Sequence, residues 1–128
     1  MTRVIVQRPE RFAVARLDPV DGWPWWASYS VLASVTRTPD ETSVLAEERL
    51  VPPGVRAERD FVAFAVRGPL DFSEVGILAT LTRALADADV SCFVVSTFDT
   101  DVVLVRADNA NRATEAWRGA GWTVEVTA

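Results

Sequence analysis

The fold of this 128-residue chain is decided by one segment, Gly68–Arg106, which reads GPLDFSEVGILATLTRALADADVSCFVVSTFDTDVVLVR. Apolar residues recur in its first part at spacings of three and four, namely at Leu78, Leu81, Leu85 and Ala88. This period predicts an amphipathic helix over residues 73–88. The two Val-rich runs that follow predict strands over 91–98 and 101–106, joined by a short turn.

The flanking sequence extends this pattern on both sides. A strand is predicted over residues 60–67, and a second helix over 109–120, where Gly119-Ala120-Gly121 offers a glycine cap. A last strand is predicted over 122–126. The order β-α-β-β-α-β predicts an α+β, ferredoxin-like unit with both helices on one face of an antiparallel sheet.

The first half of the chain reads as short strands separated by turns. Strands are predicted over residues 11–17, 28–37 and 43–46, with short helices beginning at Pro24 and at the capping-box sequence Thr38-Pro39-Asp40-Glu41. A Pro- and Gly-containing stretch precedes residues 54–59, which are predicted to be a linker. We therefore expect two domains, residues 1–56 and residues 57–128, the first a degenerate version of the second.

Composition excludes several classes of function. The formal net charge is −5 and the pI is about 4.7, so nucleic acid is not an expected partner. The chain has no His, which removes the commonest general base and metal ligand, and we expect no metal and no cofactor. With the single Cys92, no signal-like N-terminus and no long apolar run, a cytoplasmic protein away from membranes is expected. Cys92 itself is predicted to be a small core residue within a strand.

The start of the first predicted helix is chemically unusual. Asp71 or Ser73 can cap it, with Glu74 completing a capping box, and Gly76 is then predicted within the first helical turn. Glycine there costs roughly 0.8–1 kcal/mol relative to alanine, so either close packing or a ligand at the backbone N–H groups should compensate. A helix start suits a carboxylate, although simple capping explains the same residues.

The turn between the two later strands carries hydroxyl and acidic side chains. Asp99 and Thr100 suit turn positions, and Asp101 begins the next strand, where a half-buried carboxylate would attract a cation. In this topology the turn can lie close to the start of the first helix. A polar turn whose side chains satisfy one another is the alternative interpretation.

The whole segment resembles a family of small ACT-domain proteins. It keeps the residues typical of their motif, which are Gly68, Leu70, Asp71, Phe72, Gly76, Ile77, Leu78, Leu85, Ala86, Ser91, Phe93, Ser96, Thr97, Phe98, Thr100 and Asp101. The runs FAVARLDP and SVTRTPDETSVLAEE in the first half also resemble that family. Val102, Arg83-Ala84 and Asp89 depart from the pattern, so the identity of a ligand does not transfer.

The resemblance implies two ACT-like subdomains in one chain, similar to the ACT units of the cytosolic arginine sensors of eukaryotes. It implies a regulatory protein without catalytic activity that binds an amino acid or a similar small zwitterion, as a homodimer. By position, the ligand-binding residues would form two walls, Glu74, Val75, Gly76 and Ile77 on one side and Thr97, Phe98, Thr100 and Asp101 on the other. Helix-start amides would take the carboxylate, Glu74 or Asp101 the amino or guanidinium group, and Phe98 would cover the apolar stem.

Three other functions compete with this one. An enzyme lacks support because no His, Lys or activated Ser motif accompanies the carboxylates. An RNA-binding module of the same topology needs basic surroundings and exposed strand aromatics. A ligand-free oligomerisation or interaction module is the serious alternative, and Trp23, Trp25 and Trp26 would then form an exposed patch instead of covering a core.

Overall fold

The computed structural model describes residues 3–71 and 73–127. These residues form eight strands, namely β1 (Val4–Gln7), β2 (Phe12–Leu17), β3 (Ser34–Arg37), β4 (Thr42–Glu47), β5 (Arg56–Val66), β6 (Phe93–Ser96), β7 (Asp101–Arg106) and β8 (Thr123–Val126). They also form two α-helices, α1 (Ile77–Asp87) and α2 (Ala110–Gly119), and short 3₁₀ helices at Trp25–Tyr29, Glu48–Leu50 and Ala107–Asn109. The predicted α+β class is confirmed. Among the described residues, no helix has the length and apolar character needed to span a membrane.

The chain divides into two compact units. Unit A consists of the described residues up to Pro9 together with those from Val62 onward, and unit B is Glu10–Phe61. The units meet at residues 9/10 and 61/62, whereas the sequence predicts a domain boundary between residues 56 and 57. The N-terminal strand groups with the C-terminal part of the chain, because its pairing partners are there.

Unit A contains the predicted order β5-α1-β6-β7-α2-β8, with strands in the spatial order β8-β1-β5-β7-β6. β1, which the sequence did not predict, pairs antiparallel with β5 and parallel with β8. In a ferredoxin-like unit the last strand lies beside the first. Here β1 occupies the place between them, so that Ile5 stands opposite Val66 on one side and Val124 on the other.

The core of unit A fixes the position of α1. The helix buries Ile77, Leu81 and Leu85, which follow one another at intervals of four. Trp117 of α2 is fully buried, and its indole Nε1–H donates a hydrogen bond to the carbonyl of Leu81 at 3.1 Å. Its ring also meets that of Phe64 edge to face, with centroids 4.8 Å apart. Both helices therefore pack into one core, which holds the start of α1 in a defined place.

Unit B has the strand order β3-β4-β2-β5, and every neighbouring pair is antiparallel. This is the strand order of a ferredoxin-like unit. The 3₁₀ helices Trp25–Tyr29 and Glu48–Leu50 follow its first and third strands, where a full unit has α-helices. Its core is made of small residues, Ala13, Ala15, Ala27, Val44, Ala46 and Val51.

Several local predictions were wrong. The capping-box residues 38–41 form the turn between β3 and β4, in which the Thr38 hydroxyl accepts the N–H groups of Asp40 and Glu41 at 3.1 and 3.2 Å. Residues 56–59 of the predicted linker belong to β5, and β3 begins only at Ser34. Cys92 is exposed and precedes β6 instead of lying in the core.

Candidate functional site

Unit A holds a cavity of about 280 Å³ between the start of α1 and the β6–β7 hairpin. Its lining residues are Leu70, Asp71, Glu74, Gly76, Ile77, Leu78, Ala79, Ser96, Thr97, Phe98, Asp99, Thr100 and Asp101. The volume lies near the lower end of the range for small-molecule sites. Residues separated by about twenty positions in the sequence therefore share one concave surface.

Seven of the eight residues named as ligand-binding from the sequence line this cavity. They are Glu74, Gly76 and Ile77 on the helix side, and Thr97, Phe98, Thr100 and Asp101 on the hairpin side. The eighth, Val75, is 87% exposed and lines a second cavity, which adjoins the first at Gly76 and Ile77 and is also lined by Arg3 and Trp122. Phe72, which belongs to the same motif, lies outside the described residues.

The hairpin wall is built by two threonines. The Thr97 N–H donates to the carbonyl of Thr100 at 2.7 Å, and the Thr100 N–H donates to the Thr97 hydroxyl at 3.1 Å. The Thr100 hydroxyl donates in turn to the carbonyl of Val66, at the end of β5, at 2.6 Å. These bonds give the turn between β6 and β7 a fixed shape and join it to the strand that leads to α1.

The segment between β5 and α1 lies directly against this turn. The Leu70 N–H donates to the carbonyl of Asp99 at 2.7 Å, and the Gly68-Pro69 peptide bond is cis. A Cβ on Gly68 would lie 3.0 Å from that same carbonyl oxygen. Gly68 thus allows an approach of the two backbones that a larger residue would prevent.

The helix wall differs from the prediction at Gly76. The helix begins at Ile77, and Gly76 is its N-cap residue with a φ of +87°, a left-handed conformation. Nothing lies within 4 Å of a Cβ placed on Gly76, so neither close packing nor a helix-interior position explains this glycine. The positive φ explains it, because glycine adopts that conformation without steric strain.

The first residues of α1 line the cavity, and their backbone N–H groups are free of helical partners. Ile77, Leu78 and Ala79 are the first three helical residues, and all three line it. Their N–H groups have no acceptor four residues earlier within the helix, and they carry the positive end of its dipole. No side-chain cap bonds to them in the part of the chain that the structure describes.

The expected cap by Asp71 or Ser73 is therefore wrong. The Asp71 carboxylate accepts the N–H and the hydroxyl of Ser73, at 2.9 and 2.7 Å. The Ser73 N–H, and then its hydroxyl, lower the pKa of this exposed carboxyl below its ordinary value. Together with the bond from the Glu74 N–H to the carbonyl of Asp71 at 2.9 Å, these contacts form a separate turn ahead of the helix.

Four carboxylates line the cavity, those of Asp71, Glu74, Asp99 and Asp101, and no basic residue is among its lining residues. Asp101 is half-buried and accepts the Ser96 hydroxyl at 2.6 Å. The Glu74 carboxylate accepts a hydrogen bond of 2.8 Å from Nη2 of Arg3. The sequence did not predict this contact, because it did not predict β1. The cavity is thus lined both by the residues at the start of α1 and by negatively charged side chains.

Comparison with known families identifies the class of domain formed by the C-terminal half of the chain. Residues 56–118 match the family model of the ACT domain, and residues 10–53 match the model of an N-terminal domain family. The predicted ferredoxin-like ACT fold is thereby confirmed. None of the curated proteins matches this sequence.

Solved structures of the same fold extend the comparison to nearly the whole chain. The crystal structure of a protein from Agobacterium tumefaciens is 29% identical, with a TM-score of 0.93 over all of this chain and 96% of that one. A Vibrio cholerae protein of unknown function, described as a possible transport protein, is 15% identical with a TM-score of 0.72, over 94% and 91% of the two chains. The regulatory subunit of aspartate kinase from Thermus thermophilus is 12% identical with a TM-score of 0.57, over 87% and 93%.

Proposed function

We propose that this protein is a regulatory ACT protein without catalytic activity that binds a free amino acid, or a similar small zwitterion, in the unit A cavity. One observation carries the proposal. A single cavity is lined both by the first residues of α1 and by the hairpin turn that ends at Asp101. Donors for a carboxylate and acceptors for an ammonium group therefore face one volume.

The roles of the lining residues follow from their chemistry. The α-carboxylate accepts hydrogen bonds from the N–H groups of Ile77, Leu78 and Ala79, where the helix dipole favours negative charge. The α-ammonium group pairs with Glu74 or Asp101. The ring of Phe98, which is 82% exposed at the rim, covers the apolar part of the ligand. Val75 has no role in the revised site.

The comparisons support regulation over catalysis. The regulatory subunit of an aspartate kinase shares the fold. The carboxylates of Asp71 and Asp101 already accept hydrogen bonds from neighbouring serines. The sequence has no His or Lys that could act together with these acids in general acid–base or nucleophilic catalysis.

A thermal-shift screen against the twenty free amino acids tests this function. An amino acid present at 100 times its dissociation constant should stabilise the folded protein by about 2.7 kcal/mol. Asp101→Asn should remove the shift, whereas Asp108→Asn, an exposed acid that does not line the cavity, should keep it. A folded wild-type protein that responds to none of the twenty would contradict the proposal.

We further propose that unit B is a degenerate ACT-like subdomain. Its antiparallel order β3-β4-β2-β5 supports this origin, since the same order is expected of an ACT unit. Its helices have been reduced to 3₁₀ turns of five and three residues. A 3₁₀ helix of three to five residues is too short to align several free N–H groups at its start, so unit B is proposed to carry no ligand site of the same kind.

A second candidate function is self-association through unit B, giving the homodimer that the resemblance implies. Large apolar side chains are exposed within a short stretch, namely Val20, Trp23, Trp25, Tyr29 and Val31. Trp26, in contrast, packs partly buried against the unit B core. Sedimentation of wild type and of Trp25→Ser tests this function, because a dimer held by this patch should dissociate in the variant. A monomeric wild type at micromolar concentration would exclude it.

A further inference from the structure

We propose that Arg3 is a positioning residue of the amino-acid site. It holds Glu74, and through Glu74 it fixes the described residues of the segment Gly68–Gly76 beside the cavity, which leaves Asp101 as the carboxylate that binds the ligand's amino group. This inference rests on the proposed function and decides between the two acids that remain open there.

The Arg3–Glu74 pair joins the wall of the cavity to the sheet of unit A. The Nη2 and Oε1 atoms are 2.8 Å apart, and the two side chains are 36% and 30% exposed. The carbonyl of Arg3 accepts the N–H of Thr123 at 2.9 Å, and Val4 begins β1 directly after it. The guanidinium group therefore extends from backbone that is already held by strand pairing.

The fastened segment forms much of one cavity wall. It is tied at one end by the bond from Leu70 to Asp99, and at the other it runs into α1 at Gly76. Between these ends, the ion pair draws Glu74 toward β1. Because Glu74 follows the turn that Asp71 forms with Ser73, holding Glu74 also places that turn beside the cavity.

The charges assign the amino group to the hairpin side. The charge of Glu74 is balanced by Arg3, whereas Asp101 receives only a neutral hydroxyl donor, that of Ser96, among the contacts of the described residues. Asp71 and Asp99 are exposed, while Asp101 is half-buried. A charge removed from water interacts more strongly with an ammonium group, so Asp101 is the preferred acceptor.

The opposite assignment makes the opposite prediction. If Glu74 bound the amino group directly, Arg3 would compete with the ligand for the same carboxylate. Removing the guanidinium group would then tighten binding. If Arg3 holds the wall in place, removing it weakens binding instead, so that the sign of one measured change separates the two models.

Calorimetric titration with the amino acid that gives the largest shift in the screen of twenty tests the inference. Arg3→Gln and Glu74→Gln should each raise the dissociation constant about fivefold, the size expected for one partly exposed ion pair. The double variant should be no weaker than either single one, and the exchanged pair Arg3→Glu with Glu74→Arg should recover most of the affinity. Asp101→Asn should raise the constant at least about a hundredfold.

Arg83→Gln is the matched control, because it breaks another Arg–acid pair, with Asp87, on α1 away from the cavity. Its affinity should equal that of the wild type. The inference would be overturned if Arg3→Gln bound the amino acid more tightly, or if it kept the wild-type affinity and only melted at a lower temperature. It would also be overturned if Glu74→Gln lost as much affinity as Asp101→Asn.

Hydrogen exchange of the ligand-free protein separates this inference from the proposed function. A peptide covering Gly68–Gly76 should exchange faster in Arg3→Gln than in Arg83→Gln, since the segment has lost its attachment to β1. Equal exchange in the two variants would overturn the positioning role. If none of the twenty amino acids shifts the melting temperature of the wild type, the proposed function fails by itself. The exchange result still decides whether Arg3 holds the segment.

Discussion

The backbone N–H of Leu70 donates a hydrogen bond of 2.7 Å to the carbonyl of Asp99, and this bond joins the two walls of the unit A cavity. Leu70 lies between β5 and α1, whereas Asp99 lies in the turn between β6 and β7. The walls are therefore held together by the protein itself. A preformed cavity of this kind reduces the ordering that a ligand would otherwise impose when it binds.

Gly68→Ala should disturb this junction. The added methyl group would lie 3.0 Å from the Asp99 carbonyl oxygen and 3.1 Å from the Leu70 nitrogen, both of them backbone atoms that cannot turn away. We expect a loss of about 1–3 kcal/mol in the free energy of unfolding and a weaker response to amino acids. Gly22→Ala is the control, because nothing lies within 4 Å of its Cβ. Urea denaturation measures the free energy of unfolding of both variants. Equal values would show that the two walls of the cavity can move apart without a loss of stability.

Gly76→Ala should destabilise the protein through its backbone conformation alone. At a φ of +87° an L-residue is strained by roughly 1–2 kcal/mol, although the space around the new methyl group is empty. Gly119→Ala is the matched variant, since Gly119 ends α2 without a positive φ and also has open space. There alanine should add up to about 1 kcal/mol of stability. Thermal unfolding should move in opposite directions for the two, and a shared direction would contradict the N-cap geometry.

Glu47 should make unit B sensitive to acid. Its side chain is buried and accepts a hydrogen bond of 2.8 Å from the Val31 N–H. This bond lowers the pKa of the Glu47 carboxyl below the ordinary value of 4.5, although burial acts in the opposite direction. Arg49 lowers the pKa further. A lowered pKa means that the ionised form stabilises the folded state fully above about pH 4.5. That contribution is lost as the pH falls below this value.

The comparison of wild type with Glu47→Gln tests this effect. The variant should be less stable by about 1 kcal/mol at pH 7, because Arg49 loses its charged partner. Its stability should also fall less steeply between pH 5 and roughly pH 3 than that of the wild type. The exposed Glu115→Gln should follow the wild-type curve. Parallel curves for wild type and Glu47→Gln would mean that this carboxylate is not held as described.

Cys92 should react slowly for an exposed cysteine. Partial burial raises the pKa of its thiol above the ordinary value, so that less thiolate is present near neutral pH. At pH 7.5 its alkylation by iodoacetamide should be slower than that of glutathione, and the two rates should converge in urea. A faster reaction in the folded protein would show an activated thiol instead.

The strands and helices of Gly68–Arg106 could be predicted because their information is local. Leu81 and Leu85 repeat with the period of a helix, and the Val-rich run of β7 is typical of a buried strand. β1 could not be predicted in the same way. Its four residues form a strand because β5 and β8 lie on either side, and both partners are distant in the sequence.

The resemblance to the ACT family placed Glu74 and Asp101 together in one proposed site, and both line one cavity. It could not show that Arg3 pairs with Glu74. At Thr38 the signals for a helix cap and for a hairpin turn are the same, since a hydroxyl accepts the same following N–H groups in both. The chain length left before β4 begins at Thr42 decides in favour of the turn.

The place of β1 in the sheet also sets the order of events when the protein is made. Thr123, the neighbour of Val4 in β8, is translated about 120 residues after it. The edge of β1 that faces β8 must stay unpaired until those residues have been made, and during this time it could join the wrong strand. Such a distant closing contact predicts slow folding for unit A and a need for protection of the nascent chain.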